Sequence, residues 1–104
     1  MSQIINVLEE SWIKFFSDPK ENLQVGVMLR PKGFIVKPHY HNDTQEVLYV
    51  IQGYVNVTID GITQGVNEGH LIHLTSGVHS LEFICDSKIL EVKQGPFKND
   101  KVYV

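Results

Sequence analysis

Short runs rich in Val, Ile, Leu, Phe and Tyr recur along the chain, and single Gly and Pro residues separate them. That rhythm predicts an all-β sandwich or barrel. "LQVGVMLRP" predicts a strand closed by Pro31, and "GFIVKP" a second one. "TQEVLYV" and "YVNVTI" follow, and Asp60-Gly61 then separates the latter from "ITQGV". Asp-Gly between alternating apolar residues is a strong hairpin signal. "NEGHLIHL" predicts a turn at Glu68-Gly69 and another strand. "SLEFIC" and "KILEVKQ" predict two more, joined through Asp86-Ser87. Only residues 5 to 16, "INVLEESWIKFF", suit a helix, with an extra strand as the alternative. Trp12, Phe15 and Phe16 would pack that segment on the barrel or on a second subunit.

Period-two alternation assigns faces. If Glu46 points inward, so do Leu48 and Val50, while Val47, Tyr49 and Ile51 point the other way. Both faces are apolar, which predicts a strand covered on both sides, by a second layer or a dimer contact. The 104 residues suffice for one domain with a real core. No linker, repeat or low-complexity tract divides them, so residues 1–104 are read as a single domain.

The net charge of −3, from nine basic and twelve acidic residues, gives no basic surface for nucleic acid. Apolar runs fall far short of the ~20 residues of a spanning helix, so no helical membrane span is expected in this sequence. "MSQIINVLEESW" lacks the basic start and apolar stretch of a secretory signal, and Cys85 has no partner for a disulfide. Both point to a cytoplasmic setting. No Gly-rich phosphate loop, Gly-x-Ser-x-Gly elbow or Cys-x-x-Cys occurs.

One stretch carries chemistry. In "KPHYHNDTQEV", His39 and His41 share one face of an extended strand, roughly 6–7 Å apart. Glu46 follows a short bend and can add a carboxylate from the next strand. His79, after the glycine turn in "TSGVHSLEF", is the candidate for a fourth ligand. Three imidazoles and a carboxylate suit Fe, Mn, Ni, Cu or Zn. A His-x-His pair alone is more often a polar surface feature than a metal site. The glycines around it alter the picture.

Gly33, five residues, His39-Tyr40-His41, four residues, Glu46, six residues and Gly53 match the first cupin motif at every fixed position. Residues 69–79, from Gly69 to His79, resemble the second. The chain is identified as a small single-domain member of the cupin superfamily, with motifs at 33–53 and 69–79. The resemblance implies a double-stranded β-helix, or jelly-roll barrel, with a divalent transition metal held by His39, His41, Glu46 and His79. It makes His73 an outward-facing residue and His70 a turn residue. The second motif departs in three places: His70 replaces an aspartate, Thr75 replaces a proline, and one residue is missing between Gly77 and His79. A one-residue slip turns a strand side chain to the other face; a bulge or tighter turn at Gly77 would absorb it. "TQEVLYV" and "ILEVKQGPF" also resemble small cupins of bacterial surface-sugar metabolism.

With His79 inward, alternation adds Leu81, Phe83 and Cys85, and Ile72 and Leu74 join them. The pocket is then largely apolar around one polar centre, the usual build of a small-molecule site; each apolar residue is also ordinary core. Cys85 is read as a small buried hydrophobe. Tyr40 and Gln45 flank ligands and could orient them. Tyr49 is assigned to packing. Lys37 stands at the expected mouth, and Arg30 could pair with a carboxylate or phosphate. The expected function is a metal-dependent enzyme on a small molecule such as a sugar derivative, of isomerase, epimerase or dioxygenase type. The alternative is a non-catalytic metal-dependent carbohydrate-binding or sensing module. A purely structural metal ranks lowest, because such sites tend to close with four Cys/His ligands. Exposed edge strands and the doubly apolar strand predict a homodimer, with "ESWIKFF" as an added contact.

Overall fold

The computed structural model of the chain describes residues 2–15, 22–95 and 100–104. Ten strands are described: β1 Trp12–Phe15, β2 Leu23–Arg30, β3 Ile35–His41, β4 Gln45–Gln52, β5 Tyr54–Ile59, β6 Ile62–Asn67, β7 Leu71–Leu74, β8 His79–Phe83, β9 Ser87–Gln94 and β10 Lys101–Tyr103. They form two five-stranded antiparallel sheets, in the orders β1-β2-β9-β4-β7 and β10-β3-β8-β5-β6. This is an all-β jelly roll.

The helix expected over residues 5 to 16 is not formed among the described residues; Phe16 lies outside them. Residues 12–15 add an edge strand to β2 instead. The reason is packing. Cross-strand pairing sets Trp12 opposite Gly26, and a Cβ at position 26 would sit 2.6 Å from the indole. Only a glycine leaves room for that ring.

The Asp60-Gly61 hairpin forms as predicted, with φ of 49° and 82° at its two central residues and Ile59 paired to Ile62 across it. The two strands joined through Asp86-Ser87, β8 and β9, lie in different sheets. The chain turns at Ile84–Asp86, and β9 enters the other sheet between β2 and β4. β8 accordingly stops at Phe83, leaving Cys85 exposed in the corner rather than inside the barrel.

The core between the sheets holds Leu48, Val50, Val55, Val57, Ile72, Leu74, Leu81, Phe83 and Ile89. The inward assignments of β4, β7 and β8 therefore hold up to Phe83. Outward, Tyr49 and Ile51 are 36% and 40% exposed. Among the described residues, no second layer covers that face of β4.

Candidate metal centre

His39 and His41 project from β3, Glu46 from β4 and His79 from the start of β8. One ligating atom of each lies within 4.8 Å of the others. The ring centroids of His39 and His79 are 4.3 Å apart, those of His39 and His41 5.1 Å, and those of His41 and His79 5.7 Å. All four side chains are largely buried. His70 and His73 are exposed, His73 on the outer side of β7 and His70 in the turn before it.

His79 reaches the inner face despite the missing residue. Val36 pairs with Leu81, but the next pair is His39 with His79. Two residues of β3, Lys37 and Pro38, therefore oppose Ser80 alone. This bulge shifts the phase of β3, so that His39 and His41 join Val36 on the inner face, opposite His79, which alternation with Leu81 and Phe83 turns inward. Proline fits there because it has no N–H to give to a ladder. At the other end, Gly77 takes a φ of +95°, and the Asp60 carboxylate accepts the Val78 N–H at 3.2 Å. The Asp60 N–H bonds the Val78 carbonyl at 2.9 Å. The β5–β6 hairpin thus holds the loop from which His79 emerges.

Each imidazole has one nitrogen occupied by an acceptor. His39 Nδ1 lies 2.7 Å from the Lys37 carbonyl, which the bulge frees. His41 Nδ1 lies 2.9 Å from Asp100 Oδ1. The Gly77 carbonyl accepts from His79. The second nitrogen of each ring is left for the centre. Metal-binding histidines are ordinarily oriented this way.

Burial lowers the His39 pKa against the pull of the Lys37 carbonyl. Burial, with the neighbouring His39 and His41 rings, brings His79 down to about 4. Both rings are thus neutral near pH 7, the form a metal requires.

Two residues of the centre were not found from the sequence. Asp100 accepts from His41 and from the N–H groups of Asp43 and Thr44. Burial pushes its carboxyl up, but these hydrogen bonds outweigh it and hold the group well below the usual carboxylate range. Glu91, on β9, is buried and lines the same cavity. Burial and the adjacent Glu46 raise its pKa to about 7. Alternation along "SKILEVKQ" puts Ser87, Ile89, Glu91 and Lys93 on one face. The opposite face carries Leu90 and Val92, so apolar content alone does not say which side is inner.

The centre opens into a cavity of about 900 Å³, within the size range of small-molecule sites. Trp12 from β1 and Tyr103 from β10 stand on its wall; the two strands are the free edges of their sheets on this side. Arg30 also lines the cavity, but its guanidinium pairs with Glu10 at 3.1 Å. Lys37 lines it while remaining exposed.

The cupin domain family model matches residues 26–95, and the chain belongs to that family. Among solved structures it is similar to an oxalate decarboxylase from Bacillus subtilis, with 27% identity over 96% of this chain and 30% of that one and a TM-score of 0.71. Other oxalate decarboxylase chains are covered over 24% of their length, so this chain spans under a third of these proteins. It shares its fold with the DMSP lyase DddQ from Ruegeria pomeroyi: 18% identity, 82% of this chain, 44% of that one, TM-score 0.68. The same holds for the cupin domain of Cnp3 from Schizosaccharomyces pombe: 16% identity, 88% of this chain, 69% of that one, TM-score 0.61. No curated protein matches by sequence.

Proposed function

We propose that His39, His41, Glu46 and His79 hold one divalent transition metal (Fe, Mn, Ni or Zn). On this reading the chain is a metal-dependent enzyme acting on a small molecule such as a sugar derivative. One observation carries it. His41 Nε2 is buried and has no hydrogen bond, although Glu46 Oε1 lies 2.7 Å away. Asp100 can only accept, so Nδ1 is the donating nitrogen, and in the neutral ring that metal binding requires Nε2 presents a lone pair. A buried lone pair facing a carboxylate oxygen is unfavourable. A cation shared by the two atoms removes the conflict, and His39 and His79 complete its surroundings.

When bound, such a metal supplies Lewis-acid polarisation or oxygen chemistry. The chain's own groups supply the rest. Glu91 lines the cavity beside Glu46 and can take or return a proton, which favours isomerase or epimerase chemistry over oxygen chemistry. Trp12, Phe34 and Tyr103 provide apolar and aromatic walls that limit water. Likeness to part of an oxalate decarboxylase agrees with a small-molecule substrate.

Residues 1–104 are read as one cupin domain that pairs with a second copy. The contact is the outer face of β4 and β7, where Tyr49 and Leu71 are cross-strand partners and Leu71 is 67% exposed. Light scattering after size exclusion is expected to give a dimer, and Leu71→Lys a monomer. A wild-type monomer at high concentration defeats this assembly.

The deciding experiment is elemental analysis of protein purified without tag or chelator. Wild type is expected to hold close to one metal per chain, and His41→Ala and His79→Ala to lose it. Loss in His41→Ala alone would remove His79 from the ligand set. No metal in wild type, even after reloading, would overturn the metal reading.

A further inference from the structure

The chain is acidic overall, yet four of its cationic side chains line the cavity, Arg30, Lys37, Lys93 and Lys101, against two carboxylate side chains, Glu46 and Glu91. Their commitments differ. Arg30 is paired with Glu10. Lys93 lies 3.4 Å from Glu91 and sits over the Trp12 ring at 4.9 Å. Lys101 makes no ion pair among the described residues; its ammonium lies 5.8 Å from the centre of the Tyr103 ring.

Register gives these lysines their direction. Directly opposed residues of an antiparallel pair share a face. Lys101 opposes His41 and Tyr103 opposes His39. Lys93 opposes Glu46. Lys101 therefore faces the four-residue cluster from one sheet and Lys93 from the other. The Tyr103 ring is 5.8 Å from that of His39 and 5.8 Å from the Lys101 ammonium. Unlike Arg30, Lys101 has no ion-pair partner among the described residues.

We infer that the substrate carries an oxyanion group, a carboxylate or a phosphate, which Lys101 receives at the cleft between β1 and β10 while the rest of the molecule reaches the cluster. The inference rests on the metal reading above for where that remainder goes. The chain's net negative charge does not oppose it: surface charges beyond about 8 Å are screened at physiological salt, and the cations in a low-dielectric cleft set the local field. A neutral sugar would leave the Lys101 ammonium without a partner. An oxyanion gives it a charge-assisted hydrogen bond.

The test is calorimetric titration at low ionic strength of cobalt(II)-loaded and metal-free protein, using two matched pairs of probes. Glycerol 3-phosphate is compared with glycerol, and lactate with lactamide. The charged member of one pair is expected to bind and its neutral partner not to, which also tells phosphate from carboxylate. Lys101→Met is expected to weaken that binding about tenfold with cobalt content unchanged, and Lys101→Arg to restore it. Lys88→Met, whose ammonium is held by Glu9 at 2.7 Å, serves as the control and leaves binding unaltered. Equal binding of charged and neutral probes, no binding of either, or unweakened binding in Lys101→Met overturns the inference. Protein that holds no cobalt but still binds the anion through Lys101 defeats the metal reading and keeps the anion site.

Discussion

The inner face of the barrel has two ends, and the same strands build both. Along β4 it runs Val50, Leu48, Glu46; along β8, Phe83, Leu81, His79; along β9, Ile89, Glu91, Lys93. At one end the side chains are apolar and fully buried, with Val50, Val55 and Ile89 at 1% exposure or less. At the other end the buried groups are His39, His79, Glu46 and Glu91. Alternation decides only whether a residue points inward. Distance along the strand decides whether it joins the core or the site. A buried polar group is tolerable at the second end because each one there has a partner or faces the shared centre.

The contrast breaks most severely at the core end. Phe83→Ala deletes a ring that is 2% exposed and should cost about 3–5 kcal/mol of stability, measured by urea unfolding. Metal stoichiometry of the fraction that remains folded should not change. At the other end, Asp100→Asn keeps the shape but weakens the hold on His41. Metal affinity should fall about 10- to 100-fold in a competition titration, with little change in the unfolding midpoint. Equal damage to folding and to affinity in both variants would erase the distinction between the two ends.

A milder test uses pH on metal-free protein. Glu91 has its folded pKa raised to about 7 by burial and by Glu46. Between the ordinary carboxylate range and that value the native state binds more protons than the unfolded one. Stability should therefore fall as pH rises through about 7. Glu91→Gln should flatten that slope, and an unchanged slope would assign it to another group. The smallest effect belongs to Cys85→Ser. Exposed in the corner after β8, it should shift stability by no more than about 0.5 kcal/mol, and the wild-type thiol should react quickly with a disulfide reagent.

Most of the strands were legible from local pattern, because alternation and Asp60-Gly61 are properties of neighbours in sequence. Spacing within the first motif likewise brought out His39, His41 and Glu46. What stayed hidden depends on partners far along the chain. Trp12 belongs to a strand because Gly26 makes space for its ring. Cys85 leaves the barrel because the chain must cross between sheets there. That His39 and His41 share a face with His79 depends on an extra residue in β3 opposite Ser80. Asp100 carried no signal, since its task is defined by His41 and by two backbone N–H groups 56 and 57 residues away.

The Asp100–His41 contact also has a consequence for the order of events in a growing chain. His41 and Glu46 leave the ribosome early, but the acceptor that fixes the His41 ring follows more than fifty residues later. Until β10 docks beside β3, that ring has nothing to select its tautomer. The barrel can collapse around its apolar end before the polar end is set. Correct orientation of the site thus comes only after β3 to β9 have been made, and a chain stalled short of Asp100 would carry its other site residues without this constraint.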